Sequence, residues 1–324
     1  MPSRYNQFDR SRLQIAPLAN RQHILHLPDV LAVGQRPIEF KSDSLAGVAD
    51  AVAAAHKRGS AVVMMMGAHV IKQGLSRYVI DLLEHKWITH LALNGACTIH
   101  DYELARIGAT SESVARYISE GRFGLWQESG EINDIVSAGN AQGMGLGECL
   151  GKHIEQSDLP HRDVSILAGA WRAGTPATVH IGIGYDIVAE HPNFDGAAWG
   201  QASYRDFLIF AKSLENLEGG AVLCYGSAVM GPEVYLKALS MVRNVAAREG
   251  KTVRHFTSAV FDLVDLSDSD LQAEAPKDSA EYYYRPFKTV LVRTVRDGGT
   301  SHYIRGDHLA TMPALHALLT DRLR

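Results

Sequence analysis

The stretch AVVMMMGAHVIKQGLSRYVIDLLEHKWITHLALNGACTIHDYE, residues 61–103, decides the fold. Ala61–Met66 and Ile88–Leu93 are unbroken apolar runs of strand length. Each stops at glycine and polar residues: Gly67-Ala68-His69 after the first, Asn94-Gly95-Ala96 after the second. Between them Ile71, Leu75, Val79, Leu82 and Leu83 recur at helical spacing, which predicts a helix over Ile71–His85. Strand, turn, helix, strand is a βαβ unit, the connection that parallel strands need. Open parallel sheets bind ligands beyond the carboxyl ends of their strands. His69, Lys72, Asn94, His100, Asp101 and Glu103 fall there.

Toward the N-terminus, Ser44–Lys57 reads as a helix, with Leu45, Val48, Val52 and Ala55 on one face. Residues 1–42 show no period and are broken by Pro28 and Pro37, so they read as an arm and lead-in. Toward the C-terminus, a helix over Ile99–Ile107 would carry Asp101 and Glu103 in its first turn, where carboxylates suit the helix dipole. Thr110-Ser111-Glu112-Ser113 supplies capping oxygens for a helix over Val114–Glu120, and Ile132–Ser137 is a short apolar stretch of helical character. Gly139–Gly151 contains GMGLG, but no strand precedes it. A glycine-rich helix packed closely on a neighbour therefore fits better than a phosphate loop.

Farther on, SILAGAW (165–171), TVHIGIG (178–184), AVLCY (221–225), HFTSAVFDL (255–263), residues 289–295 and residues 301–305 read as strands. Tyr204–Leu217, Glu233–Glu249 (with Pro232 at the first helical position) and Leu315–Leu323 read as helices, and Asp265–Ala280 as a polar loop. Alternation of strands and helices predicts one α/β domain over residues 43–324. Its expected form is a doubly wound, mainly parallel sheet with helices on both faces.

The chain has 324 residues, 46% hydrophobic and 21% charged, with net charge −4, as expected of a globular protein. No basic stripe points to nucleic acid. No apolar run approaches the roughly 18 residues of a membrane span. The N-terminus is polar and lacks an apolar signal core. Cys97, Cys149 and Cys224 are too far apart for a CxxC motif, and so sparse a count fits a reducing compartment. A cytoplasmic location is the expectation.

Several groups carry possible chemistry. His69 and Lys72 at a strand-to-helix turn suit an anion, although GAHVIK lacks the spacing of a P-loop. A carboxylate among His100, Asp101 and Glu103 would hold a ribose hydroxyl or take a proton, or merely cap a helix. His69, His100 and Asp101 lack an HxxxH or HxH pattern, so no metal is expected. The turns Gly182–Asp186 and Tyr225–Gly231 have glycines that let a ligand approach the backbone. Lys288, in YYYRPFKTVLVR, is either a nucleophile with a lowered pKa or a lysine reaching from a strand end to water. Asp307 reads as a ligand contact or as the cap of the last helix. No GxSxG or HExxH motif suggests a hydrolase.

The order of these blocks resembles deoxyhypusine synthase over roughly residues 43–319. Asn94-Gly95-Ala96 takes the place of that family's AGG-type turn, and His100, Asp101 and Glu103 fall near its acidic pair. GGAVLCYGSAVMGPEVYLKAL resembles its glycine-containing strand-to-helix turn, and YIRGDHLATMPALHALL its final Asp-containing segment. The resemblance implies a doubly wound NAD-binding fold and homotetramers with sites at subunit interfaces. If the NAD site is kept, Gly67, Asn94, Gly95, Asp101, Glu103, Gly184, Gly226, Ser227 and Asp307 are the expected cofactor residues. His69, Lys72, His100, Asp186 and Lys288 are the catalytic candidates. Two departures matter. The family's nucleophilic lysine aligns with Met230, which forms no imine, and Lys237 lies well down the following helix. Gly184-Tyr185-Asp186 replaces the TDGS turn, and no histidine near Gly174 and Pro176 matches the one that precedes it. The expectation is an NAD-dependent enzyme acting on a small amine- or hydroxyl-bearing substrate by another route. The alternatives are an NAD-independent enzyme gripping a phosphorylated or carboxylated substrate with His69, Lys72 and Lys288, or a silent nucleotide-binding relative.

Overall fold

The computed structural model describes residues 3–35, 39–266, 271 and 273–322. Helix α1 (Asp43–Arg58) precedes strand β1 (Val62–Met66). The short α2 (His69–Lys72) and α3 (Ser76–Glu84) lead to β2 (His90–Asn94). Five helices follow before β3 (Ala177–His180): α4 (Gly95–Ile107), α5 (Val114–Ser119), α6 (Gln127–Ala141), α7 (Leu146–Gln156) and α8 (Ile166–Ala173). Helix α9 (Gly196–Leu214) leads to β4 (Ala221–Tyr225), and α10 (Met230–Arg248) to β5 (Thr257–Asp262). The short α11 (Ala280–Tyr283) and a π-helical segment, Pro286–Arg293, come before β6 (Thr300–Arg305), and α12 (His308–Asp321) follows it.

The six strands form one parallel sheet in the order β3-β2-β1-β4-β5-β6. This is the doubly wound order, and it reverses between β1 and β4. Strand side chains alternate between two cores. Val62, Met64, Met66, Leu91, Leu93, Leu223, Tyr225 and Phe261 enter one. Val63, Met65, Ala92, Val222, Cys224 and Val260 enter the other, beneath α10 and the π-helical segment. Burial on both faces explains why these strands read as continuous apolar runs. Among the described residues, no helix is long and apolar enough to cross a membrane.

Several expected elements differ. SILAGAW is not a strand but most of α8. Ser165 caps its start by accepting from the Ala168 N–H, and Gly174 (φ +60°) ends it in the left-handed region. A short, wholly apolar run has the same pattern in a buried helix as in a buried strand. Residues 289–295 are likewise not a strand: 289–293 end the π-helical segment, which begins at Pro286, and 294–295 are a turn. The helix expected over Ile71–His85 is broken at Gly74 (φ +74°), where a Cβ would meet the Asp29 carbonyl at 2.3 Å. Helix α4 starts at Gly95, so Asp101 and Glu103 lie beyond its first turn. The expected strand 178–184 ends at His180, and the last helix begins at His308. Pro37 and Leu323 lie outside the described residues.

The glycine-rich stretch packs as expected of close helix contacts. A Cβ on Gly151 would meet the Leu167 carbonyl at 2.6 Å, and one on Gly147 the Ala177 carbonyl at 1.9 Å. This approach lets α7 cover the outer edge of β3. Asp206 completes the cover: its Oδ2 accepts from Gly147 N–H (3.0 Å) and from Val179 N–H (2.7 Å). Burial pushes the Asp206 carboxyl up to about 7, against the hydrogen bonds that favour its charged form.

Asp206→Ala leaves two buried N–H groups unpaired and should cost about 2–4 kcal/mol in urea denaturation. Asp206→Asn keeps an acceptor. The folded pKa of Asp206 is raised, so its contribution is fully present below the unfolded carboxylate pKa and is lost as pH rises through about 7. The stability of the native protein should therefore fall relative to the Asn variant between about pH 4 and pH 7 and level off above.

Candidate active site

Beyond the carboxyl ends of β1 and β2 lies a cavity of about 390 Å³. Its walls include Arg21, Lys72, Ala96, His100, Glu103, Ser111, Glu112, Tyr185, Asp186 and Glu190. Each wall comes from a different part of the chain. Lys72 ends α2, while Ala96, His100 and Glu103 are on α4. Ser111 and Glu112 follow a two-residue strand, Ala109–Thr110, paired antiparallel with Leu25–His26 of the arm. Asp186 and Tyr185 sit on the loop after β3.

Asp186 is left unsatisfied by its own chain. Its Oδ2 is buried and has no hydrogen-bond partner. The carboxylate packs against the start of α4, where a Cβ on Gly95 would meet Oδ2 at 1.9 Å. Burial raises its pKa to about 6. The first turn of α4 leaves N–H groups without partners inside the helix. Asn94 Oδ1 accepts from one of them, Cys97 N–H, at 3.3 Å.

His100 faces the cavity from α4, and burial pushes its pKa down to about 4. Its Nδ1 lies 2.8 Å from Thr110 Oγ1, which in turn donates to Glu103 Oε2 at 2.6 Å. Glu103 is 1% exposed. Arg21 grips it with both nitrogens, at 3.0 and 2.6 Å, and Ser129 donates at 2.6 Å. Burial pushes the Glu103 carboxyl up, but the Arg21 charge and these hydrogen bonds outweigh that and hold it low.

A second, tighter crevice lies where the strand order reverses. It is lined by Asn94, His180, Ser227, Met230 and Gly231, among others. There the backbones of Gly67 and Gly226 touch, since a Cβ on Gly67 would meet the Gly226 carbonyl at 2.1 Å. Gly226 (φ +63°) also lies under His308, whose Nδ1 is buried and unpartnered. His69 is exposed at the start of α2, and burial lowers the pKa of His308.

Of the residues singled out from sequence, Lys72, His100, Glu103, Gly184 and Asp186 meet at the cavity. Asn94 and Ser227 meet at the crevice, and Gly95 lies against Asp186. Others are engaged elsewhere. Asp101 is fully buried and turned inward. It caps α8, accepting from Ser165 Oγ (2.6 Å), Ile166 N–H (2.7 Å) and Leu167 N–H (3.2 Å), so it offers nothing to a cofactor. The Glu103 carboxylate is likewise consumed by Arg21, Thr110 and Ser129. Lys288 lies 4.6 Å over the Tyr282 ring and is not a wall of the cavity. Asp307 caps α12 through Leu309 N–H and accepts from Gln73 Nε2. Lys237 pairs with Glu233. Among the described residues, no group of His, Cys, Asp and Glu is arranged to hold a metal ion.

Arg21, Thr110, Ser111, Glu112 and Glu190 were not legible as site residues. The stretch Thr110–Ser113 reads as a helix cap, and Ser113 is one, accepting from Arg116 N–H. Ser111 instead takes a left-handed conformation (φ +67°) with its hydroxyl buried and unpartnered, a strain that tends to occur at functional sites.

No family model matches the chain, and no curated protein matches it. Solved structures do. Apo ArgZ, an arginine dihydrolase from the ornithine-ammonia cycle in cyanobacteria, superposes with a TM-score of 0.51 at 13% identity, over 86% of this chain and 33% of its own. AgrE in ternary complex with ornithine and NAD+ gives 0.49 at 16% identity, over 89% and 34%. A putative deoxyhypusine synthase from Entamoeba histolytica gives 0.45 at 9% identity, over 86% and 87%. The chain spans about one third of the length of the ArgZ and AgrE chains. The likeness is one of fold alone, and remote.

Arg21→Ala strands a buried carboxylate and should cost about 3–5 kcal/mol. Pairing Arg21→Met with Glu103→Leu should cost much less. Chemical denaturation of the three proteins checks this, and equal losses would show that the ion pair is not the cause.

Proposed function

We propose that this protein is an enzyme that binds a nicotinamide dinucleotide along the carboxyl edge of the sheet and acts on a small amine- or hydroxyl-bearing substrate in the cavity. The observation that carries the reading is Asp186, a carboxylate with an unpartnered, buried oxygen and a pKa near 6. Such a group takes a proton from a substrate near neutral pH. The doubly wound topology and the motif resemblance to deoxyhypusine synthase support the choice of cofactor.

The residues present fit such a cofactor. At the strand-order reversal Gly67 is pressed on Gly226 and His308 covers Gly226, so the dinucleotide would extend from the roomier cavity rather than through the crevice. Lys72, on the cavity wall, would supply a cation for a pyrophosphate, while Asp186 occupies the start of α4. His308 Nδ1 and Gln73 Oε1 are buried polar atoms with no partner in the protein, available to a ligand. A bound nicotinamide would supply the oxidant. The protein's part is to orient the substrate against Asp186 and His100 and to receive its proton. Lys72 is the one lysine lining the cavity among the described residues, and Met230 stands where the imine-forming lysine of the resembled family falls. The route is therefore proton transfer rather than an enzyme imine. The same reading seats a second copy of the chain near the cavity mouth, where Val114, Ile118, Ile183 and Tyr185 are exposed.

Calorimetric titration with NAD+ tests the cofactor, and NADH absorbance across a panel of amines and polyols tests the turnover. Asp186→Asn should keep NAD+ affinity and lose about 10²–10⁴-fold in kcat. The rate of the native enzyme should rise with pH through about 6, as Asp186 loses its proton, and this limb should vanish in the variant. Absence of NAD+ binding would overturn the reading.

A further inference from the structure

The contacts around His100 fix more than its position. Glu103 is held ionised by Arg21 and so can only accept hydrogen bonds. The single hydroxyl proton of Thr110 must therefore go to Glu103 Oε2, at 2.6 Å. That leaves Thr110 Oγ1 only lone pairs with which to meet His100 Nδ1, at 2.8 Å. The proton between them must be carried by the histidine. A neutral imidazole has one N–H, so the other nitrogen, Nε2, is bare.

We propose that Thr110 and Glu103 are positioning residues that lock His100 as its Nδ1–H tautomer. His100 then presents a lone pair, not a proton, to the cavity. The bound molecule must offer an N–H or O–H at that point. A carboxylate hydrogen-bonded to a metal-bound histidine fixes which ring nitrogen is free, and Thr110 does the same here for an organic ligand. This arrangement also gives Arg21 a role beyond lining the cavity: it keeps Glu103 charged, and the charge dictates the direction of both hydrogen bonds. The inference rests on His100 facing the cavity, as in the proposed function, but it does not require that the cofactor be NAD.

Nitrogen-15 NMR of this 324-residue chain, without added ligand, tests the assignment. Histidine ring nitrogens give distinct shifts when protonated and when bare, and the His100 signals are identified by their absence in His100→Gln. In the native protein His100 should show a protonated Nδ1 and a bare Nε2 at neutral pH. Thr110→Val should lose this single pattern in favour of a mixture or the opposite tautomer, and Thr110→Ser should restore it. A native spectrum with Nε2 protonated overturns the proposal even if the Val variant does not fold. So does a Val variant that folds and keeps the native pattern. Neither result bears on whether NAD+ binds, which the calorimetric titration decides separately.

Discussion

A parallel sheet sends every strand-to-helix turn to the same edge, so buried helix starts accumulate there and around the helices stacked behind. Each start leaves backbone N–H groups without partners, and each such group left buried costs about 1–3 kcal/mol. Carboxylates repeatedly meet this need. Asp101 closes the start of α8 and Asp206 the start of α7. Asp195 accepts from Ala197 and Ala198 N–H at the start of α9, and Asp307 from Leu309 N–H at the start of α12. Asp186 lies against the start of α4, yet its buried oxygen accepts from nothing in the protein. Asp206 also leaves its Oδ1 unpartnered, but its Oδ2 accepts twice, and this contrast is what the proposed role of Asp186 rests on.

The second constraint is the buried Arg21–Glu103 pair. Arg21 belongs to the arm, and Glu103 to the middle of α4. Their bidentate contact, with Leu18 packed on Tyr117 and Trp126, ties the arm to the helices that wall the cavity. A buried ion pair is not in itself strong evidence of net stabilisation, because desolvating two charges is expensive. Its clearer effect is on direction. With Glu103 fixed as an acceptor, the polarity of the Thr110 and His100 contacts follows.

The fold was legible because burial on both faces leaves a plain signature: short apolar runs ending in glycine, alternating with helical periods. The same signature failed where a short run was apolar throughout. SILAGAW carries no period that separates helix from strand, and only the Ser165 and Gly174 caps reveal the helix. In the Thr289–Val295 run, Pro286 lies just upstream and the backbone winds as a π-helix. The site was legible in part. Residues adjacent to the strand ends, such as Lys72, Asn94 and Asp186, follow from the doubly wound rule. Arg21, Glu112 and Glu190 do not, because they reach the cavity through the arm, a two-residue ladder and a loop. Asp101 shows the opposite case: its position on α4 turns it toward the start of α8, which no local pattern reveals.

What distinguishes this sheet from a bare doubly wound one is the long excursion over residues 95–176 between β2 and β3. An open sheet of this order offers only the crevice where the order reverses, and here that crevice is tight, with Gly67 pressed on Gly226. The excursion raises a second wall beside it. It carries α4 away from the strand ends, returns through the Ala109–Thr110 ladder to place Ser111 and Glu112 opposite, and comes back to the sheet at β3. The edge of β3 is sealed by Gly147 and Asp206, so the following loop, with Gly184 (φ +79°), is free to turn back toward α4 and present Asp186. The βαβ unit therefore supplies the floor and the helix start. The polar groups that line the cavity come from segments that have no place in the sheet.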